Sequence, residues 1–394
     1  MEISNRIQAL AASQTLAMSQ KSAELKAKGI DVINLSVGEP DFFTPAHIKE
    51  AAIKAIEDNF SFYSPVPGYM SLRKAIADKL SRENGLAFEP AQIVVGNGAK
   101  HALCNVVLTV VNPGDEVIIP TPAWVSYVEM VKLAEGTTVE VPTGIDQDFK
   151  MTPAQLESAI TPRTKAIVLC SPSNPTGSVY TGAELQALVS VLERHPQIVV
   201  IADEIYEHIN YTGGSFVSLA SFPEIAARTV VINGVSKAYA MTGWRIGYAA
   251  TNERLAKVMA NYLSHSTGNP SSIAQWAAVD ALAGEQSDID DMRTAFEERR
   301  NYIVERMNAI PGVSCIKPQG AFYVMMNLEK LVGKTIHGAV IHDGDDFADL
   351  FLKEGLVAVV PCSGFGAPNF VRWSYATSMA NIKEGLDRLE KFLA

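Results

Sequence analysis

Between residues 92 and 233, short β-branched runs alternate with longer helical patterns, and this alternation limits the fold more than any other feature of the chain. The strand candidates are Gln92–Val95, Glu116–Ile119, Lys165–Cys170, Ile198–Ala202 and Val230–Asn233, with helical stretches such as Ala99–Val111 and Gly182–Arg194 between them. Parallel neighbours need a crossover connection, usually a helix, so the pattern predicts an α/β domain with a mostly parallel sheet flanked by helices. In open sheets of this kind ligands gather beyond the carboxyl ends of the strands.

From about residue 290 the texture changes. A charged helix, Asp291–Met307, leads to strand candidates Val313–Ile316, Ala321–Met326, Val357–Val360 and Phe370–Ser374. Shorter, sparser strands predict a smaller α+β domain, completed by the N-terminal segment. The expected division is a large domain over residues 46–289 and a small domain from residues 1–45 and 290–394. With 394 residues, 47% of them hydrophobic and 19% charged, the chain has enough apolar material for both.

The net charge of −10 argues against nucleic acid, whose phosphates need a basic face. An acidic chain can still hold an acidic metabolite in a local basic pocket. Four dispersed cysteines, Cys104, Cys170, Cys315 and Cys362, fit reduced thiols better than a disulfide framework or a zinc site. The N-terminus lacks a signal-peptide core, and runs such as Ile198–Ala202 fall far short of the roughly 20 residues of a membrane span. The expectation is a cytoplasmic protein.

Four local pieces follow strand candidates. After Val230–Asn233 comes Ser236-Lys237-Ala-Tyr-Ala-Met-Thr242-Gly243-Trp244-Arg245-Ile246-Gly247-Tyr248. Apolar surroundings and a cationic neighbour drive a lysine toward its neutral, nucleophilic form, and Arg245 also suits a phosphate. Alone, Lys237 reads rather as a surface lysine with a buried stem. After Ile198–Ala202, Asp203-Glu204-Ile205-Tyr206 offers a carboxylate for a cationic ring nitrogen and a phenol for a ring oxygen, though Asp203 also suits a helix N-cap. After Lys165–Cys170, Ser171-Pro-Ser-Asn174-Pro175-Thr176-Gly177 makes a stiff loop that presents Asn174, or simply a turn. After Gln92–Val95, Gly98-Ala99-Lys100 opens a helix whose first amides can cradle a phosphate. Trp124, in the loop after Glu116–Ile119, is either a stacking face or a core residue.

Together these pieces resemble the class I aspartate aminotransferases, fold-type I pyridoxal-phosphate enzymes, and the likeness runs from Gly38-Glu39-Pro40-Asp41 to Arg372-Trp-Ser-Tyr375-Ala376. The resemblance implies that Lys237 is the Schiff-base lysine and proton shuttle. It implies that Asp203 pairs with the ring nitrogen, Tyr206 and Asn174 with the ring oxygen, and Trp124 with the ring face. Ala99, Lys100 and Arg245 would face the phosphate end. The family's phosphate-binding serine falls at Gly234, which leaves Ser236 as the candidate. Arg372 would clamp the substrate α-carboxylate through two parallel bonds, with the Gly38 backbone beside it. Tyr63 matches a tyrosine that reaches the neighbouring subunit's phosphate, which implies a homodimer with shared sites.

In the animal and enteric type an arginine from the other subunit grips the distal carboxylate, but Tyr262–Pro270 contains none. A bacterial subgroup uses a lysine, a serine and a threonine instead, and Lys100, Ser13 and Thr15 occupy those places. The implied reaction moves an amino group from aspartate to 2-oxoglutarate. Ala11 stands where prephenate-active members have a basic residue, an expectation against that substrate. The alternatives are an aminotransferase of broader or aromatic specificity and an effector-sensing domain of the same fold, which would carry a DNA-binding domain ahead of it. A nicotinamide-dependent dehydrogenase is disfavoured, because Val95–Ala102 has His101 at the third glycine position of the dinucleotide fingerprint. Gly333–Thr335 is an incomplete P-loop, and Asp343, Asp345 and Asp346 read as a helix start rather than a calcium loop.

Overall fold

A computed structural model describes residues 2–394. Seven strands form the main sheet: β1 (Ile93–Asn97), β2 (Glu116–Thr121), β3 (Thr137–Pro142), β4 (Thr164–Cys170), β5 (Val199–Asp203), β6 (Thr229–Gly234) and β7 (Ile246–Ala250). Their spatial order is β1-β7-β6-β5-β4-β2-β3. The run from β3 to β6 is parallel. β7 is antiparallel to both β6 and β1. All five strand candidates of the sheet are present, with ends shifted by one or two residues.

Both faces of the sheet are covered, and side chains alternate between them with the period of two that a strand imposes. Ala166, Val168, Ile201, Val230 and Ile232 join helix Ala99–Val110 in one core cluster. Ile167, Leu169, Val200 and Ala202 join helix Gly182–Leu192 on the other face. A further cluster packs Ile93, Val95, Val231 and Ala250 against helices Ala46–Glu57, Met70–Asn84 and Ser272–Ala283.

Strand β7 was not foreseen from the sequence, and it organises the site. A strand running against its neighbours starts at the edge where they end. Arg245, just before β7, therefore returns to the edge that Lys237 left after β6. Two glycines permit this. A Cβ on Gly247 would lie 2.7 Å from Ala99 Cα, and one on Gly234 would lie 2.7 Å from Gly247 Cα.

The C-terminal part is built on a three-stranded antiparallel sheet, β9 (Val360–Pro361), β10 (Phe370–Ser374) and β8 (Tyr323–Asn327), in that spatial order. Its cluster includes Leu35, Phe296, Phe322, Trp373 and Phe392. Helix Ser287–Ala309 spans the expected boundary, with Ile289 in the large-sheet core and Met292 in the C-terminal one. Two expectations are corrected here. Val313–Ile316 is not a strand. Only a bridge from Ser314 to Asn327 forms, because the Asn308 amide takes both the N–H and the C=O of Cys315. Val357–Val360 breaks at Val359: Val357–Ala358 pairs with Ile33–Asn34, whereas Val360 pairs with Arg372. Asp343 caps helix Gly344–Glu354, accepting from the amides of Asp345 and Asp346, so the acidic triplet is a helix start. The four cysteines carry free thiols, and among the described residues no helix is long and apolar enough to cross a membrane.

The packing at Gly247 gives a stability prediction. Gly247→Ala should lower the unfolding free energy by about 1–3 kcal/mol, because the new methyl meets backbone that cannot move aside. Denaturant titration of both proteins measures it, and an unchanged midpoint would mean that the helix start is free to shift.

Candidate active site

One pocket of about 280 Å³ opens at the carboxyl edge of the main sheet. It is lined by four cationic residues, Lys100, Lys237, Arg245 and Arg372, and by one carboxylate, Asp203. Ser13, Thr15, Gly38, Ala99, Trp124, Asn174, Tyr206 and Ser236 complete the sequence-predicted residues in its wall. Tyr63 is the exception. It lies outside the pocket and is 96% exposed.

Lys237 leaves the loop after β6, and its Nζ donates to the Gly38 carbonyl at 2.5 Å. Burial lowers its pKa to about 8, and the Arg372 and Arg245 guanidinium groups push the same way, while Glu39 and Asp203 oppose them. Asp203 ends β5. Its carboxylate accepts from the Tyr127 hydroxyl at 2.7 Å and the Ile205 amide at 3.3 Å. Burial raises its pKa, and those two donors together with Lys237 hold it back. No α-helix follows Asp203, so the helix-cap alternative is set aside: the carboxylate caps a turn and faces the pocket. The Tyr206 hydroxyl shares a hydrogen bond of 2.9 Å with Tyr323, and burial pushes both phenols up, which keeps them protonated.

Arg372 sits mid-strand in β10, only 1% exposed. Its Nη1 donates to Asn174 Oδ1 at 2.8 Å and its Nη2 to the Ser36 carbonyl at 2.9 Å, and its guanidinium lies 4.3 Å from the Tyr323 ring centre. Its Nε is buried without a partner, and among the described residues no carboxylate pairs with it. A buried guanidinium lacking a counter-charge is costly unless a ligand supplies one.

Beyond Lys237, helix Ala99–Val110 points its N-terminus at the pocket. Gly98 precedes it at φ 84°, and a Cβ there would fall 2.7 Å from the Arg245 guanidinium carbon. The glycine thus lets a guanidinium and the unpaired first-turn amides meet in one place, the makings of an anion cradle. Lys100 is exposed, with its Nζ 4.9 Å from the Trp124 ring centre. The Thr15 hydroxyl is buried with no partner.

The sequence profile described as aminotransferase class I and II matches residues 30–389. The chain is an aminotransferase of this family. An aspartate aminotransferase of Geobacillus stearothermophilus is 49% identical over all of this chain and 99% of that one. An aspartate/prephenate aminotransferase of Nitrosomonas europaea is 47% identical over the whole of both chains. Among solved structures, the aspartate aminotransferase of Rhizobium meliloti superposes with a TM-score of 0.96 at 44% identity, covering 100% of this chain and 98% of that one. The Thermus thermophilus enzyme with maleate gives 0.94 at 41% identity, with full coverage of both.

Several residues of this aminotransferase's pocket escaped the reading of the sequence. Tyr127 bonds Asp203, and its ring packs edge-on against Trp124 at 5.4 Å. Tyr323 holds Tyr206 and underlies Arg372. Cys170 and Ile205 line the wall. The one available signal was Tyr127's place a helical turn beyond Trp124, which puts both on one side of the same chain turn.

The environment of Lys237 yields a pH prediction for the ligand-free aminotransferase. Only the neutral amine reacts with electrophiles, so labelling of Lys237 should rise as pH increases through about 8. Ordinary lysines label with a midpoint near ~10.4. Peptide mass spectrometry across a pH series reads this directly, and a midpoint at the ordinary value would show that burial does not depress this amine.

Proposed function

We propose that this chain is an aspartate aminotransferase that moves the amino group of aspartate to 2-oxoglutarate, giving oxaloacetate and glutamate, with pyridoxal 5'-phosphate held at Lys237. One observation carries the reading. Four cations face a single carboxylate in the pocket, and the buried one, Arg372, has no anionic partner. A phosphate, an α-carboxylate and a distal carboxylate would answer this excess.

The side chains fit the cofactor. Lys237 offers an amine, Asp203 a buried carboxylate, Trp124 a ring face, and Ala99, Arg245 and Ser236 the donors for a phosphate. When bound, the cofactor supplies an electron sink for charge at the substrate α-carbon. Asp203 would support that role by countering a cationic ring nitrogen, with Tyr127 and the Ile205 amide orienting its two oxygens. Tyr206 and Asn174 would offer hydrogens to the cofactor's ring oxygen. Lys237 Nζ, its pKa lowered by burial to about 8, would serve as the base for the substrate Cα proton. Arg372 receives the α-carboxylate, and Tyr323 and Asn174 keep its plane fixed.

For the distal carboxylate we assign Lys100, with Ser13 and the unpartnered Thr15 hydroxyl. The Geobacillus relative's name supports aspartate, and maleate in the Thermus structure is a dicarboxylate. The Nitrosomonas relative's name raises prephenate as a second substrate. Against it, Ala11 offers no charge, and its amide is bonded to Glu129. The packing supports a large part over residues 46–289 and a small part from 1–45 and 290–394. Exposed Phe43, Phe62, Tyr63 and Met70 support a homodimer in which Tyr63 serves the partner's site. The reading is of a cytoplasmic enzyme.

Lys237→Ala should abolish sustained transamination from aspartate to 2-oxoglutarate, because anchor and base vanish together. The visible spectrum of the purified protein should also lose its aspartate-dependent change. Near wild-type turnover without added amines would end the reading.

Lys100→Ala should cut kcat/KM for aspartate by about two orders of magnitude while phenylalanine or alanine loses far less. Arg372→Ala should harm every substrate, since all carry the α-carboxylate. Equal proportional losses for aspartate and phenylalanine in the Lys100 variant would defeat its assignment to the distal carboxylate.

A further inference from the structure

Ser13 and Thr15 lie at the start of helix Gln14–Ala27, in a segment whose preceding residues are mostly exposed. Something must hold these hydroxyls at the pocket. The residue between them does so. Gln14 Nε2 donates to Ser363 Oγ at 2.8 Å and to Asp345 Oδ1 at 3.0 Å, and its Oε1 accepts from the Gly364 amide at 3.0 Å. Both hydrogens and the oxygen of the amide are thereby engaged.

The receiving turn is shaped for this side chain. A Cβ on Gly364 would fall 2.5 Å from Gln14 Oε1, so only glycine admits the amide. The φ of Gly364 is not in the left-handed region, so the requirement is one of space rather than of backbone freedom. The same turn is fixed to the rest of the site. The Phe365 carbonyl accepts from the Ala123 amide at 2.9 Å, next to Trp124, and the Phe365 ring lies 5.4 Å from the Arg372 guanidinium. Gln14 therefore ties the pocket's N-terminal lip to the walls that carry Trp124 and Arg372.

We propose that Gln14 is a specificity-determining positioning residue, which latches Ser13 and Thr15 onto the Ser363–Phe365 turn and thereby sets the preference for substrates with a distal carboxylate. This rests on the assignment of Ser13 and Thr15 to that carboxylate. Gln14 touches no substrate itself. Its loss frees the two hydroxyls and weakens the grip on the distal group, while Lys237 and Arg372 keep their places.

The test compares Gln14→Ala, Gly364→Ala, the double variant and Thr15→Val in the holoenzyme. Gln14→Ala should lower kcat/KM for aspartate about tenfold, mainly through KM, and should weaken maleate binding in a spectral titration by a similar factor. Phenylalanine should change by less than about threefold. Gly364→Ala should reproduce this pattern by expelling the amide, and the double variant should be no worse than either single one. Equal losses for aspartate and phenylalanine, or fully additive losses in the double variant, would overturn the latch. If Thr15→Val loses aspartate preference and Gln14→Ala does not, the latch fails and the substrate assignment stands. If neither variant changes the preference, both fall.

Discussion

A guanidinium buried without a counter-ion is the constraint around which this molecule is arranged. Arg372 is inside the protein because β10 runs through the middle of its small sheet, and the chain compensates the charge only in part. Asn174 comes from the loop after β4, the Ser36 carbonyl from the N-terminal segment, and Tyr323 from the neighbouring strand β8. Three distant parts of the sequence thus meet on one side chain, and each meets it with a neutral group. A carboxylate from the protein at that point would remove the need for a ligand. Neutral partners fix the orientation of the plane and leave the charge for an incoming molecule.

The same logic explains how an acidic protein recognises acids. The net charge of −10 belongs to the surface, whereas the pocket wall holds four cations against one carboxylate. Burial is the main cause of the lowered pKa values of Lys237 and Lys100, and to it is added the crowding of neighbouring guanidinium charge. Binding of an anion relieves that crowding. Burial, helped by the Arg372 and Arg245 guanidinium groups, brings the pKa of the Lys237 amine down to about 8, nearer the range in which it is neutral.

Much of this was legible in the sequence, because the site is assembled from strand ends. Lys237, Asp203, Asn174 and Ala99 each follow an apolar run closely, so a local pattern located them at one edge of a sheet. β7 escaped notice because Ile246–Ala250 is apolar on both faces and begins inside the lysine string, with no alternation to mark it. Val313–Ile316 misled for the opposite reason: its composition suits a strand, but the Asn308 side chain claims its backbone groups. Tyr127 carried only its place a helical turn beyond Trp124, and Tyr323 and Gln14 carried no local signal at all. Their contributions come from partners at distant positions in the chain, and nothing in the residues beside them announces those partners.

The turn of the chain between β6 and β7 has one more consequence. Gly234 and Gly247 are paired in the sheet, so the two ends of the segment carrying Lys237 and Arg245 are pinned to one point. The segment is therefore a loop clasped at its base. The backbone that carries the Lys237 amine and the Arg245 guanidinium leaves and rejoins the sheet at one place. The spacing of those two backbone positions is thus written into the sheet itself.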